Sequence, residues 1–396
     1  MSNCETDRRS FLKGGLVSAA AFTTLPSFFA RAVLAGAPSD GVLVLVQLDG
    51  GNDGLNCVVP FGDDAYYRAR PGIGIRQPVR LTDYLGLHPG LSGLRQPWDD
   101  GSLAIVQGVG YPQPNRSHFE STDIWHTAVT GRPARWSGWL GRALDDVVNA
   151  DIPGVDLDPG PLSLALVGER AVVTSIANAD RFRVQGGSRI QSLLERVVKT
   201  PRADATLEYV RRSAQQSYRT AARVESALAG GRGADAYPGS ALGKRLWQIA
   251  RMVESGLGAR VYAVRLTGFD THSRQKDPHA LLMRTLGDAL GSFQTDLKRH
   301  GLDRKVLTMT YSEFGRRVTE NRSLGTDHGA AAPLFVMGGS IKAGTHGEHP
   351  SLTDLDDGDL KFHTDFRSVY ATVLDGWLGV DADAVLGSRF DRAAFL

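Results

Sequence analysis

The sequence predicts an α/β protein built on a mostly parallel central sheet covered by helices. Three observations carry this. Six short runs are apolar at odd and even positions alike: Val42–Leu48, Leu103–Val106, Leu162–Val167, Val261–Leu266, Val306–Tyr311 and Pro333–Met337. A strand with one wet face would alternate, so these runs suit strands buried on both faces. Helical patterns fall between and after them, the order expected of a sheet with helices packed on it. Acids with glycine neighbours follow three of the runs, and ligands in such folds bind at the carboxyl ends of strands.

The chain opens with Thr6-Asp7-Arg8-Arg9-Ser10-Phe11-Leu12-Lys13, then an apolar stretch from Gly14 to Phe29 and small residues over 30–37. That succession is a secretory signal, and paired arginines before Phe-Leu-Lys make it a twin-arginine signal. Its apolar part is too short and too rich in Ala, Gly and Ser to span a membrane. An amphipathic cytosolic helix is the plain alternative. Residues 1–37 are therefore read as a signal peptide and 38–396 as one α/β domain. The expected partner is the twin-arginine export machinery and the expected location the periplasm or cell surface. The resemblance to twin-arginine signals implies export after folding, often with a metal or cofactor already in place.

After the second run, Gly108 to Leu140 reads as a loop followed by a Trp- and Arg-rich helix carrying Trp125, Trp136 and Trp139. Residues about 180–245 are polar and helical, with Arg211, Arg212, Arg219 and Arg223 spaced along them. This reads as a helical cap insertion with a solvated face, or as a lid that brings arginines over an anionic substrate. In Asp277–His300, Leu281, Leu282, Leu286, Leu290 and Phe293 share one helical face. A closing helix runs from Thr364 to Leu378, with Asp365 or Thr364 as cap and Gly379 as stop.

The 396 residues carry a formal net charge of +2. Arg8, Arg9, Lys13 and Arg31 against Glu5 and Asp7 give residues 1–37 that same +2, so the remainder is neutral. Nucleic acid is excluded as a partner, because no clustered basic face is present. Cys4 leaves with the signal and Cys57 remains alone, which excludes an internal disulfide. No later apolar stretch approaches the ~20 residues of a membrane span.

Four clusters hold chemistry. Asp49 ends the first run within Asp49-Gly50-Gly51-Asn52-Asp53-Gly54, where glycines let a metal or phosphate approach the backbone. A calcium loop and a structural turn are the other readings; the former lacks the distal glutamate of a helix–loop–helix site. Asp270 and His272 follow Val261–Leu266, and residues i and i+2 of an extended chain share a face. Glu313 follows Val306–Tyr311 ahead of Arg316 and Arg317, which could neutralise an oxyanion. Asp327 and His328 precede the run Pro333–Met337. Carboxylates with imidazoles and no thiolate suit zinc, manganese, magnesium or calcium, and one or two such ions would polarise a phosphoryl or sulfuryl oxygen. Ser117, in Asn115-Arg116-Ser117-His118, starts a helix, where a hydroxyl can be either a cap or a nucleophile favoured by the helix dipole. Ser121 and Thr122 lie one turn further on, and His118 can be a ligand, a base or a structural residue.

On these residues the chain resembles the alkaline phosphatase superfamily, which includes sulfatases and cofactor-independent phosphoglycerate mutase. Asp49 ends the first strand, Asp270 with His272 follows a later one, His328 precedes an apolar strand, and 365–374 resembles the closing helix of the superfamily. LDGGNDGLN, NRSHFES, GFDTH, SEFGRR, GTDHG and TDFRSVYATVL are similar, over nearly the whole mature chain, to a large bacterial family of exported proteins of unassigned function in that superfamily. The resemblance implies a three-layer sandwich and a metal-dependent hydrolase or transferase for a phosphate or sulfate ester. Asp49, Asp270, His272, Glu313, Asp327 and His328 would hold one or two divalent ions, Ser117 would attack, and Arg116 or Arg316 would hold the equatorial oxygens. Two departures stand out: Phe314 occupies a ligand histidine's place, and the Asp270-x-His272 spacing is shortened. Phe314 and the ambiguous role of Ser117 support the other expectation, a non-catalytic exported binding or assembly protein that keeps the fold.

Overall fold

The computed structural model describes residues 40–131, 137–147, 152–178 and 204–396. The signal segment 1–37 with Arg8 and Arg9, Trp136, and 180–203 of the expected cap lie outside the described residues. The main sheet comprises β1 (Val42–Asp49), β2 (Leu103–Gly110), β3 (Gly154–Asp156), β4 (Thr174–Ser175), β5 (Val261–Thr267), β6 (Val306–Tyr311), β7 (Ala332–Met337), β8 (Gly344–His346) and β9 (Thr364–Asp365). Its order is β8-β2-β7-β6-β1-β5-β3-β4, with β9 also paired to β2. All pairings are parallel except those of β7, which runs antiparallel to both β2 and β6. The fold is mixed α/β with a mostly parallel central sheet.

The helices used below are α1 (His118–Thr127), α2 (Trp139–Asp145), α3 (Ala205–Leu228), α4 (Ala241–Glu254), α5 (Lys276–Arg299) and α6 (Phe366–Val373). Alternation along β1 explains the layers. Val42, Val44, Val46 and Leu48 enter one core with Leu246 and Ile249 of α4 and Leu286, Leu290 and Phe293 of α5. Leu43 and Leu45 enter a second core with Trp139 of α2 and Phe366 and Tyr370 of α6. A strand apolar at every position thus feeds two cores at once, and the sheet is the middle of three layers.

Several expectations are corrected. Leu162–Val167 is not a strand: Leu164–Leu166 forms a 3-10 turn, and Gly154–Asp156 supplies the sheet instead. The cause is close packing on α2, since a Cβ at Gly138 or Gly141 would lie 2.0 or 2.1 Å from a backbone oxygen of that segment. Pro333–Met337 is a strand but reversed in direction. Leu281 is 63% exposed and lies off the buried face of α5, which starts at His279 and continues through Met283. Trp125 and Trp139 sit on separate helices, stacked on Phe366 at 4.5 Å and Tyr370 at 3.9 Å. The closing helix starts after Asp365, whose carboxylate accepts from the Arg367 amide at 2.9 Å, and passes through a π-turn to Gly379.

Within the expected cap region, α3 runs beside β4, the edge of the sheet farthest from β2, where Thr220 meets Thr174. Arg211 pairs with Glu208, and Arg223 donates to the Gly256 carbonyl. This geometry gives those two arginines partners of their own rather than a place over the loops described next.

Candidate metal centre

The carboxyl ends of β1, β2, β5 and β6 open at one edge of the sheet. Because β7 is reversed, the residues before it reach that same edge. Five segments distant in sequence therefore meet there: 49–53, 116–121, 268–272, 312–317 and 326–328.

The first turn after β1 sets the close approach. Gly50 and Gly51 have φ of +118° and +71°, and a Cβ at Gly51 would lie 2.2 Å from the Phe314 ring. Only glycine fits there without displacing that ring. Beyond it, Asp53 turns inward and ion-pairs with Arg70 at 2.7 Å, both side chains fully buried. Gln275 also donates to Asp53, and Arg70 continues to Asn56 at 2.7 Å and to the Val318 and Arg317 carbonyls at 2.9 Å. Burial raises the Asp53 carboxyl pKa, but the charges of Arg70 and His279 and the donated hydrogen bonds hold it below its ordinary value. The calcium-loop reading fails here, because Asp53 is spent on Arg70 and the Asn52 oxygen is shared with His279 at 3.1 Å.

Asp270 is the hub of the site. Its Oδ1 lies 2.9 Å from His272 Nε2, 3.1 Å from His328 Nε2, 3.5 Å from His118 Nε2 and 2.8 Å from Arg316 Nη2. Burial opposes the charge, yet the hydrogen bond and positive charge of Arg316 help pull the Asp270 pKa down to about 2. His118, Asp270 and His328 each offer one ligand atom, all within 4.8 Å of one another. His272 Nε2 stands 2.9 Å from His328 Nε2.

Groups behind the imidazoles decide which way their lone pairs point. His118 Nδ1 is 2.8 Å from Glu313 Oε1, His328 Nδ1 is 2.8 Å from the Arg116 carbonyl, and His272 Nδ1 is 3.5 Å from Asp327 Oδ1. A carbonyl or carboxylate can only accept, so Nδ1 of His118 and of His328 carries a proton, and in the neutral form of either ring the lone pair is on Nε2, toward the centre. His118 Nε2 is shielded from solvent and has no hydrogen-bond partner. Arg316 donates to the carboxylate from one side, and the imidazole nitrogens face it from another. The residues fit a divalent ion in N,O coordination.

The other expected site residues take different places. Glu313 is fully buried; Oε1 accepts from the Gly50 amide at 2.9 Å and from His118, and Oε2 from Ser312 at 3.2 Å, so it orients His118 from behind. Asp327 backs His272 and is tied to Asn321 at 3.0 Å. Asp49 is not among the converging atoms; burial and the charge of Glu313 raise its pKa. Arg316 is not open to an oxyanion: its buried guanidinium donates to the carbonyls of Gly50, Gly51, Phe269 and Thr326 as well as to Asp270. Arg116 is likewise engaged, with Asp359. Ser117 is the exposed N-cap of α1, and its side chain makes no capping bond. Ser121 is consumed by Tyr111 at 2.9 Å and the Glu313 carbonyl at 2.5 Å. Phe314 is buried, its ring 4.9 and 4.6 Å from those of His118 and His328. His118 is the donor that local pattern left ambiguous, since the carboxylate that orients it lies 195 residues away.

The family described as "Protein of unknown function (DUF1501)" matches residues 105–393. The chain belongs to that family. The matched span holds His118, Asp270, His272 and His328 and leaves out Asp49. No curated protein matches the chain by sequence. Solved structures similar to it include the PsFucS1 sulfatase from Pseudoalteromonas sp., at 12% identity and TM-score 0.40 over 92% of this chain and 74% of that one. The lipoteichoic acid synthase LtaP from Listeria monocytogenes follows at 11% and 0.38 over 80% and 72%. A protein in the alkaline phosphatase superfamily from Vibrio parahaemolyticus is similar at 9% and 0.38 over 90% and 70%. At such values the fold assignment rests on the sheet order itself. Among the described residues, no helix is long and apolar enough to cross a membrane.

Proposed function

We propose that this member of the DUF1501 family is an exported, metal-dependent hydrolase or transferase acting on a phosphate or sulfate ester, with an alkaline-phosphatase-like domain over residues 38–396. The observation that carries the reading is the mutual approach of His118 Nε2, His328 Nε2 and Asp270 Oδ1, with His272 Nε2 2.9 Å from that carboxylate oxygen and His118 on a helix whose exposed N-cap Ser117 makes no capping bond. His118, Asp270, His272 and His328 would hold a divalent ion, which when bound supplies Lewis-acid polarisation of the ester oxygen. Glu313 and the Arg116 carbonyl keep the His118 and His328 rings in the ligating tautomer. Ser117 is the attacking hydroxyl, and the free N–H groups of the first turn of α1 favour negative charge next to it.

One observation favours a second reading, a metal-holding binding or assembly protein without turnover. Arg116 and Arg316, the arginines expected on the equatorial oxygens, are both committed to internal partners. Elemental analysis of protein exported by its native route, followed by a panel of phosphate monoesters, phosphate diesters and sulfate esters, separates the two. Bound metal with turnover supports the enzyme, bound metal without turnover the binding protein, and a metal-free chain refutes both. Export itself is tested by replacing Arg8 and Arg9 with Lys: the precursor should stay in the cytoplasm, and unchanged export would refute the twin-arginine route.

A further inference from the structure

We infer that this centre takes a single divalent ion, and that the Arg316 guanidinium is the fixed positive charge where a second ion would otherwise sit. The inference rests on the metal dependence proposed above.

A second ion beside the first would need its own acidic ligands; Asp53, Asp158 and Asp359 are paired with arginines, which leaves Asp49, Glu313 and Asp327. Glu313 has no free oxygen facing the cluster, because Gly50, His118 and Ser312 take both. Asp327 lies behind His272, on the side of that ring away from Asp270. Asp49 remains, and one carboxylate is too few for a stable dication site. The carbonyls that could make up the number, those of Gly50 and Gly51, are already taken by Arg316.

Arg316 reaches that position because Gly51 packs under Phe314 and the 269–270 turn closes over Gly50. Its guanidinium is completely buried and touches four carbonyls and Asp270 Oδ1, the same oxygen that the imidazoles face. Arginine keeps its proton under all ordinary conditions, so the charge is permanent. A guanidinium 2.8 Å from the shared carboxylate oxygen satisfies part of its charge and repels a second dication from the same spot. A buried arginine with every contact internal would otherwise be a costly structural choice.

The test is a titration of Mn(II) into chelator-stripped mature protein, read by bound-metal analysis and electron paramagnetic resonance. One Mn(II) per chain with the hyperfine-resolved signal of an isolated ion is expected. Two per chain with an exchange-coupled signal would overturn the inference while leaving the metal-dependent reading intact. No binding would defeat both. Asp49→Asn supplies a second arm that does not touch the converging donors. Its Mn(II) stoichiometry and affinity should equal those of the parent chain, whereas loss of a bound ion would place Asp49 at a second site and overturn the inference.

Discussion

The turns after β1 and after β5 leave the same sheet edge and carry similar residues, yet their polar groups end in opposite conditions. Asp53 is matched within the fold by Arg70, Gln275 and the Asn56 amide, with no solvent contact. Asp270 shares one oxygen with an arginine and three imidazoles, and the lone pair on His118 Nε2 is left unmatched. Both places are charged, and only one is unfinished. A closed network stabilises a turn, while a buried ring nitrogen left without a partner beside a carboxylate marks a place that can take a ligand.

Four substitutions break or sharpen this contrast, taken from the largest effect to the smallest. Ser117→Ala should lower any ester turnover by ~10³-fold or more while metal content stays at the parent level, because an attacking hydroxyl contributes to the transition state and little to the resting fold. Turnover that survives would remove Ser117 from the mechanism. Asp53→Ala should act in the opposite sense. It leaves Arg70 charged and unpaired in the interior, so urea unfolding should show a loss of about 3–5 kcal/mol, with Mn(II) affinity per folded chain unchanged. Equal loss of metal affinity would mean that the closed and open networks are one unit.

Glu313→Gln keeps the shape behind His118 and removes the charge. Metal affinity should fall by about 10–100-fold, the range for a group that orients a ligand rather than binding the ion. A complete loss would place Glu313 on the ion itself. The last effect is confined to a window of pH. Burial, helped by the charge of nearby Asp158 and opposed by the Ser163 amide and Arg265, pushes the Asp156 carboxyl up to about 6. A raised acid binds more protons folded than unfolded, so its contribution is fully present near pH 4 and is lost as the pH rises through about 6. Asp156→Asn should therefore stabilise the protein above pH 6, with a ceiling of about 3 kcal/mol, and make no difference near pH 4. A thermal-melt difference that is flat in pH would refute the burial argument.

Much of the fold was legible in the chain because burial is written locally. Val42–Leu48, Val261–Leu266 and Val306–Tyr311 are apolar on both parities, and they are the three central strands. Asp365 and Gly379 mark the closing helix by local hydrogen bonding and a local φ. Asp270-x-His272 was visible as a pair because neighbours in sequence are neighbours in space. Direction and partnership are different matters. Nothing in Pro333–Met337 says that it runs antiparallel, since an apolar run reads the same both ways. Arg316 looked like an oxyanion holder, and only the packing of Gly50, Phe269 and Thr326 around it turned it into an internal cation. His118 became a donor through Glu313, and His328 through the Arg116 carbonyl, contacts made across 195 and 212 residues. Residue type and spacing determine which side chains can serve a metal. Which atoms are left without a partner depends on every neighbour in three dimensions, and only the tertiary structure decides that.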